Sequence, residues 1–81
     1  MEYRQYLLER RLKLDLSINM LCKMTESSRQ HYYRVERGIS TTKLTFVYMC
    51  KIAKALDFTL EEMFHYETMY LESLKLKDES N

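Results

Sequence analysis

Ser28-Arg29-Gln30-His31-Tyr32-Tyr33-Arg34-Val35-Glu36-Arg37-Gly38 is the stretch on which the reading of this chain turns. It opens with Ser, whose hydroxyl can cap a helix by accepting from a backbone amide of the first turn. It closes with the chain's single Gly, the residue best suited to the left-handed position after a helix. Between them only Tyr32 and Val35, three apart, are clear inward candidates. The other face offers Arg29, Gln30, Tyr33, Arg34 and Arg37. A helix that is merely solvated tends to mix Glu and Lys at i,i+4 spacing. This one is crowded with hydrogen-bonding side chains, and Arg pairs bidentately with guanine as Gln does with adenine.

Upstream, Ser17 can cap a second short helix that carries Ile18, Leu21 and Cys22 to about Met24, and Thr25-Glu26-Ser27 forms a short turn before Ser28. Two short helices joined by three or four residues match the helix-turn-helix arrangement. In it the second helix enters the major groove and the first lies across the phosphate backbone. Further out, apolar spacing predicts a helix over about Tyr3 to Leu14, with Tyr3, Leu7, Leu8, Leu12 and Leu14 on its apolar side. Ile39 to Lys43 reads as a loop. A fourth helix is predicted from Thr42 or Lys43 to Leu56, with Leu44, Val47, Tyr48, Ile52, Ala55 and Leu56 inward. Thr59-Leu60-Glu61-Glu62 fits a capping box and opens a fifth helix carrying Leu60, Met63, Phe64, Tyr70, Leu71 and Leu74. The expected fold is all-α: five helices in one domain over residues 1–76, with a frayed tail at 77–81.

Composition agrees. Eighty-one residues allow one domain with a single small core, which a partner subunit could supplement. One Gly and no Pro leave too few turn residues for a strand-rich fold. Net charge is +1, but residues 1–56 hold 11 Lys/Arg against 5 Asp/Glu, while residues 57–81 hold 2 against 7. A basic first part suits a polyanion, and the acidic tail faces elsewhere. No apolar run approaches the ~20 residues of a membrane span and no signal peptide opens the chain, so the expected location is cytoplasmic. Cys22 and Cys50 lie in apolar stretches and read as small buried hydrophobes. With His31 and His65 they do not reach metal-finger spacing, so neither a metal nor a cofactor is expected. His31 reads as a solvated helix residue, and the seven tyrosines as half-buried rims of the core. No nucleophile is arranged with a base and no Gly-rich loop could hold a nucleotide phosphate, so no enzyme is expected.

Leu16-Ser17, Leu21-Cys22, Ser28-Arg29 and Arg34-Val35-Glu36-Arg37-Gly38, followed by Ile52-Ala53-Lys54-Ala55-Leu56 and Thr59-Leu60-Glu61-Glu62-Met63-Phe64, resemble the phage-repressor-type (XRE) helix-turn-helix family over about Leu8 to Phe64. The resemblance implies a sequence-specific regulator of transcription, a repressor by analogy, that binds double-stranded DNA as a homodimer. It implies that Arg29, Gln30 and Arg34 read bases. Ser17, Tyr33, Ser40, Thr41 and Lys43 fall at or near phosphate-contacting positions, and Ser28 and Arg37, at the two ends of the reading helix, are expected to contact phosphates with them. Arg11 and Glu36 fall where many relatives place a partly buried ion pair. Departures from the family pattern are Glu26 where a turn Gly is usual, Ile18 where Gln is usual, Tyr32 for Ile or Val, and a stretch from Gly38 to Ala53 about two residues longer. A positive φ at a non-Gly residue carries a strain cost, so the turn is expected to be distorted at Glu26.

The fifth helix extends past the family's usual end, and Met63, Tyr70, Leu71 and Leu74 are the expected dimer interface, with Glu61, Glu62, Glu67 and Glu72 turned away from it. Because the chain ends soon after the DNA-binding part, no separate sensing domain is expected, and a regulatory protein partner is one route to control. The rival readings are a protein-binding module on the same scaffold, such as an antitoxin or phage-encoded inhibitor, and a helical domain that has lost DNA binding. Arg29, Gln30 and Arg34 together argue against the latter.

Overall fold

Ser17, Ser28 and Thr45 each sit in extended backbone and accept a hydrogen bond from the amide three residues on, at 3.1, 3.1 and 3.2 Å. These caps start three of the five helices in the computed structural model of the chain. The structure describes residues 2–39 and 44–80, with side chains as far as Leu76. The helices are α1 (Gln5–Lys13), α2 (Ile18–Thr25), α3 (Arg29–Arg37), α4 (Phe46–Ala55) and α5 (Leu60–Ser80), and no strand occurs among the described residues. At the start of α5 the Thr59 amide donates to the Glu62 carboxylate at 2.9 Å, and the Glu62 amide donates to the Thr59 hydroxyl at 3.0 Å. That reciprocal clasp is the capping box expected from the sequence. It holds the Glu62 carboxyl below its ordinary range, first through the Thr59 amide.

Three helices end with a residue just beyond them in left-handed backbone, Glu26, Gly38 and Asp57, at φ of 55°, 65° and 58°. Asp15 does the same at 56° after α1. Gly38 is there for a second reason as well: a Cβ at this position would overlap the Glu2 carbonyl oxygen and the Tyr70 hydroxyl. Gly38 is thus fixed by both its φ and its neighbours.

The core is built from one face of every helix. Leu7, Leu21, Tyr32, Ile52, Leu56 and Met63 are fully buried, with Val35, Ala53 and Phe58 around them. α2 packs against both α3 and α4, α1 against α3, and α4 against α5. Each such large apolar side chain stabilises the fold by roughly 1.5–3 kcal/mol, and through Tyr32 and Val35 the cluster fixes the inner face of α3.

Two expectations fail on helical phase. α4 begins at Phe46 behind the Thr45 cap, not at Thr42 or Lys43, and Val47 is 64% exposed. At about 100° per residue, Val47 stands about 140° from Ile52 and cannot share its face. Leu12 is likewise 62% exposed, because it stands about 140° from Leu7. α5 is helical through Ser80, so the segment expected to fray is helix as far as that residue. Its Leu, Lys and Glu are good helix formers with no breaker among them.

Candidate nucleic-acid interface

α3 divides into two faces. Tyr32, Val35 and Glu36 are buried, while Arg29, Gln30 and Arg34 are exposed and Tyr33 is 38% exposed. Gln30 and Arg34 lie one turn apart on the outward side, and so do Tyr33 and Arg37. Arg37 is half-buried: its guanidinium stacks 4.6 Å from the Tyr33 ring and 5.0 Å from the Tyr3 ring, and donates to the Tyr3 hydroxyl. Its orientation is therefore set before any ligand arrives, and Tyr3 is a member of this surface that the sequence did not suggest.

The inward side is held by ions as well as by packing. Arg11 grips Glu36 with two parallel bonds, Nε to Oε2 at 3.0 Å and Nη2 to Oε1 at 2.9 Å, and its remaining Nη1 donates to the Leu16 carbonyl at 3.0 Å. The pair is largely buried. Glu36 raises the Arg11 pKa above its usual value against the opposing effect of burial. One fork thus ties α1, the link into α2 and the inner face of α3 together. Tyr32 lies in the same region. Its hydroxyl is buried without a hydrogen-bond partner, and burial, then the Glu36 charge, pushes its pKa well above the ordinary tyrosine value.

Ser17 and Ser28 mark the ends of α2 and α3 that would face a backbone. Each oxygen accepts from its own helix, which leaves its hydroxyl proton free to donate outward. Amides of each first turn also lack helical partners, the usual setting for an anion. Between the helices, Glu26 takes the left-handed turn with its amide and that of Ser27 both donating to the Cys22 carbonyl. The Thr25 hydroxyl donates to the Leu21 carbonyl at 2.9 Å and lies 2.7 Å from the Ser27 hydroxyl. The turn keeps its geometry without Gly. Ser40, Thr41 and Lys43, expected at the phosphates, lie outside the described residues. His31 is exposed, its ring 5.0 Å from that of Tyr48. Cys22 and Cys50 are free thiols, buried and half-buried. No group of three metal-ligating side chains occurs among the described residues, and none of their helices is long and apolar enough to cross a membrane.

The helix-turn-helix family model matches residues 7–63. The chain belongs to the phage-repressor-type helix-turn-helix family. Among solved structures it is similar to the restriction-modification controller protein C.AhdI from Aeromonas hydrophila. The two are 32% identical with a TM-score of 0.66, over 74% of this chain and 88% of that one. No protein of curated function matches. Family and fold are those of DNA-binding transcription regulators rather than of enzymes.

The expected dimer residues separate. Met63 is fully buried inside its own chain and offers nothing to a second one, which removes it from the interface. Tyr70 is half-buried: its ring lies 4.5 Å from the Arg4 guanidinium and its hydroxyl donates to the Glu2 carbonyl at 3.0 Å. Leu71 is partly exposed and Leu74 half-buried, while Leu60 and Phe64 stand out on the same side as Leu71. Glu67, expected in solvent, is only 4% exposed. It forms a bidentate pair with the equally buried Arg4, Nε to Oε1 and Nη2 to Oε2 at 2.9 Å each, and accepts from the Tyr6 hydroxyl at 2.6 Å. The reason is again phase: Met63, Glu67, Tyr70 and Leu74 recur at i, i+4, i+7 and i+11, so the acid sits within the inward stripe.

Proposed function

We propose that this chain is a sequence-specific transcription regulator that inserts α3 into the major groove of duplex DNA. In this reading Gln30 and Arg34, with Arg29 at the helix start, meet base edges. Ser17, Ser28, Tyr33 and Arg37, with Ser40, Thr41 and Lys43 of the following loop, meet phosphates. The observation that carries it is the division of α3. Its inner face is committed to Tyr32, Val35 and the Arg11–Glu36 pair, so its outer face presents Gln30 and Arg34 in solvent, beside Arg37 held between the Tyr3 and Tyr33 rings. The controller neighbour supports a regulatory role, with repression as the simplest form: a bound dimer occupying a promoter.

Two-fold operators require two copies. Leu60, Phe64 and Leu71 form an exposed apolar stripe on α5, flanked by Tyr70 and Leu74, and we assign the second copy to it. The same stripe would seat the partner of an antitoxin-like protein, and oligomeric state in the absence of other proteins separates the two readings. The cytoplasm is the compartment where such a regulator works.

The test is selection of preferred duplexes from a random pool at several salt concentrations. Affinity should fall steeply with salt. Arg34→Ala and Gln30→Ala should each cost about 1–3 kcal/mol on the selected site and relax one base position. Absence of duplex binding even at ~50 mM salt overturns the reading. Phe64→Glu should yield a monomer that binds one half-site. Truncation before Glu67 is the wrong tool, since it strands buried Arg4 without its carboxylate.

A further inference from the structure

The last carbonyls of a helix have no helical donor, and those of α3 find theirs in an unusual place. The Arg34 carbonyl takes the Ile39 amide at 3.1 Å, and the Val35 carbonyl the Gly38 amide at 3.3 Å. The Val35 carbonyl also takes Arg4 Nη1 at 2.8 Å, and the Glu36 carbonyl takes the Arg4 backbone amide at 2.8 Å. Arg4 therefore closes the C-terminal end of α3 twice, through its main chain and through its side chain. The rest of its guanidinium is gripped by Glu67 of α5, which the Tyr6 hydroxyl braces. Arg4, Tyr6, Glu67 and Tyr70 all lie outside residues 7–63, the span common to the family.

We propose that Arg4 is a positioning residue for base reading: clamped to Glu67 of α5, it sets where the C-terminal half of α3, and with it Arg34, lies in the groove. The inference rests on the groove-reading function above. The N-terminal end of α3 is fixed separately, by the Ser28 cap and by packing on α2. Arg11 also holds Glu36, but the carbonyls that end the helix answer to Arg4, so loosening Arg4 swings Arg34 more than Arg29. Arg4 touches no DNA itself. Its planar fork grips both Glu67 oxygens in parallel while its third nitrogen reaches the Val35 carbonyl, a geometry that the compact ammonium of Lys does not reproduce.

The experiment compares base-preference profiles, selected from a random duplex pool, for the full chain and four variants. Arg34→Ala locates the base position that Arg34 reads. Glu67→Gln weakens the clamp. The paired substitution Arg4→Met with Glu67→Met removes both charges and leaves an apolar seam, a replacement that folded proteins tolerate well. Tyr6→Phe removes only the brace on Glu67. Binding is measured on samples whose circular dichroism shows the full helical signal. A merely structural loss lowers binding of all sequences in proportion to the folded fraction and leaves the profile unchanged.

The expected result is that preference at the Arg34 position falls about fivefold in Glu67→Gln and in the paired variant, a fraction of what a bidentate contact discriminates. Preferences at the Arg29 and Gln30 positions should change by less than about twofold, within the scatter of surface substitutions. A wild-type profile in the folded paired variant overturns the proposal. If neither clamp variant folds, Tyr6→Phe decides: a smaller relaxation at the Arg34 position supports it, and an unchanged profile overturns it. If Arg34→Ala relaxes no position, it is the groove-reading function that fails, not the clamp.

Discussion

Two buried ion pairs hold α3, and they differ in where they come from. Arg11–Glu36 lies within the helix-turn-helix span and ties α3 to α1 and the start of α2. Arg4–Glu67 lies outside it on both sides and ties the end of α3 to α5. Both are bidentate at about 3 Å, both spend the third guanidinium nitrogen on a carbonyl, and both have a tyrosine hydroxyl beside the carboxylate. The first falls at positions inside the matched helix-turn-helix span. The second repeats the solution with residues that extend the domain. The comparison teaches that a helix whose outer face is left to solvent is held by more than its inner apolar residues, and that charge supplies what two core side chains cannot.

The largest expected effect comes from breaking either pair. Arg4 is the more deeply buried cation, its side chain 3% exposed against 12% for Arg11, and a half-pair leaves an uncompensated charge, which costs about 3–5 kcal/mol. Glu67→Ala should therefore destabilise the fold at least as much as Glu36→Ala in thermal melting. In each double-mutant cycle the loss from both substitutions should be smaller than the sum, by about 0.5–3 kcal/mol of coupling. Additive losses in the Arg4–Glu67 cycle would mean that only the first pair fastens α3.

The pairs also differ in how readable they were. Arg11 and Glu36 follow from matching a known pattern residue by residue. Arg4 and Glu67 have no such pattern, yet a signal existed: an acid on the Met63–Tyr70–Leu74 stripe interrupts an apolar face, and a buried carboxylate demands a cation. Reading the glutamates of α5 as one solvated group hid it. The five helices, the caps at Ser17, Ser28 and Thr59, and the two faces of α3 were legible because local periodicity and capping chemistry decide them. The α4 start was not, since Thr42 and Thr45 both offer a capping hydroxyl and the sequence does not say which one the helix uses; the structure uses Thr45. Met63 was misplaced for a related reason: sequence shows that a stripe is apolar but not whether its own chain covers it.

The tyrosines sharpen the contrast at a smaller scale. Tyr6 donates to Glu67 at 2.6 Å, whereas the Tyr32 hydroxyl beside Glu36 has no partner. Tyr6→Phe should cost about 1.5–3 kcal/mol, as expected for a hydrogen bond to a charged group. Tyr32→Phe should be neutral or stabilising, because it removes a buried hydroxyl that makes no bond. Both hydroxyls have pKa values raised far above 10.0, through burial first and the neighbouring carboxylate next. A raised folded value means stability is fully present below the unfolded pKa and is lost as pH rises past it. The melting temperature should hold to about pH 10 and then fall, each tyrosine contributing up to about 1.4 kcal/mol per pH unit. Tyr32→Phe should make that fall shallower. A fall equally steep in Tyr32→Phe would show that other groups govern alkaline unfolding.

The smallest effect concerns the entry to α3 rather than its fastening. Glu26 turns the chain from α2 toward α3 at φ 55°, ψ 39°, a conformation that costs a side-chain-bearing residue about 1–2 kcal/mol. Gly relieves this but loses more entropy on folding, by roughly 0.5–1 kcal/mol. The contact of Glu26 with Lys51, at 3.7 Å and largely in solvent, adds little. Glu26→Gly should therefore stabilise the fold by about 0.5–1 kcal/mol, the difference of those terms. It should leave the base-preference profile untouched, because the two ion pairs and the Ser28 cap, not the turn, fix the lie of α3. Denaturant melts and one selection experiment check both halves. A changed profile would mean that the strained turn steers the reading helix, and that the two pairs only hold what the turn has already aimed.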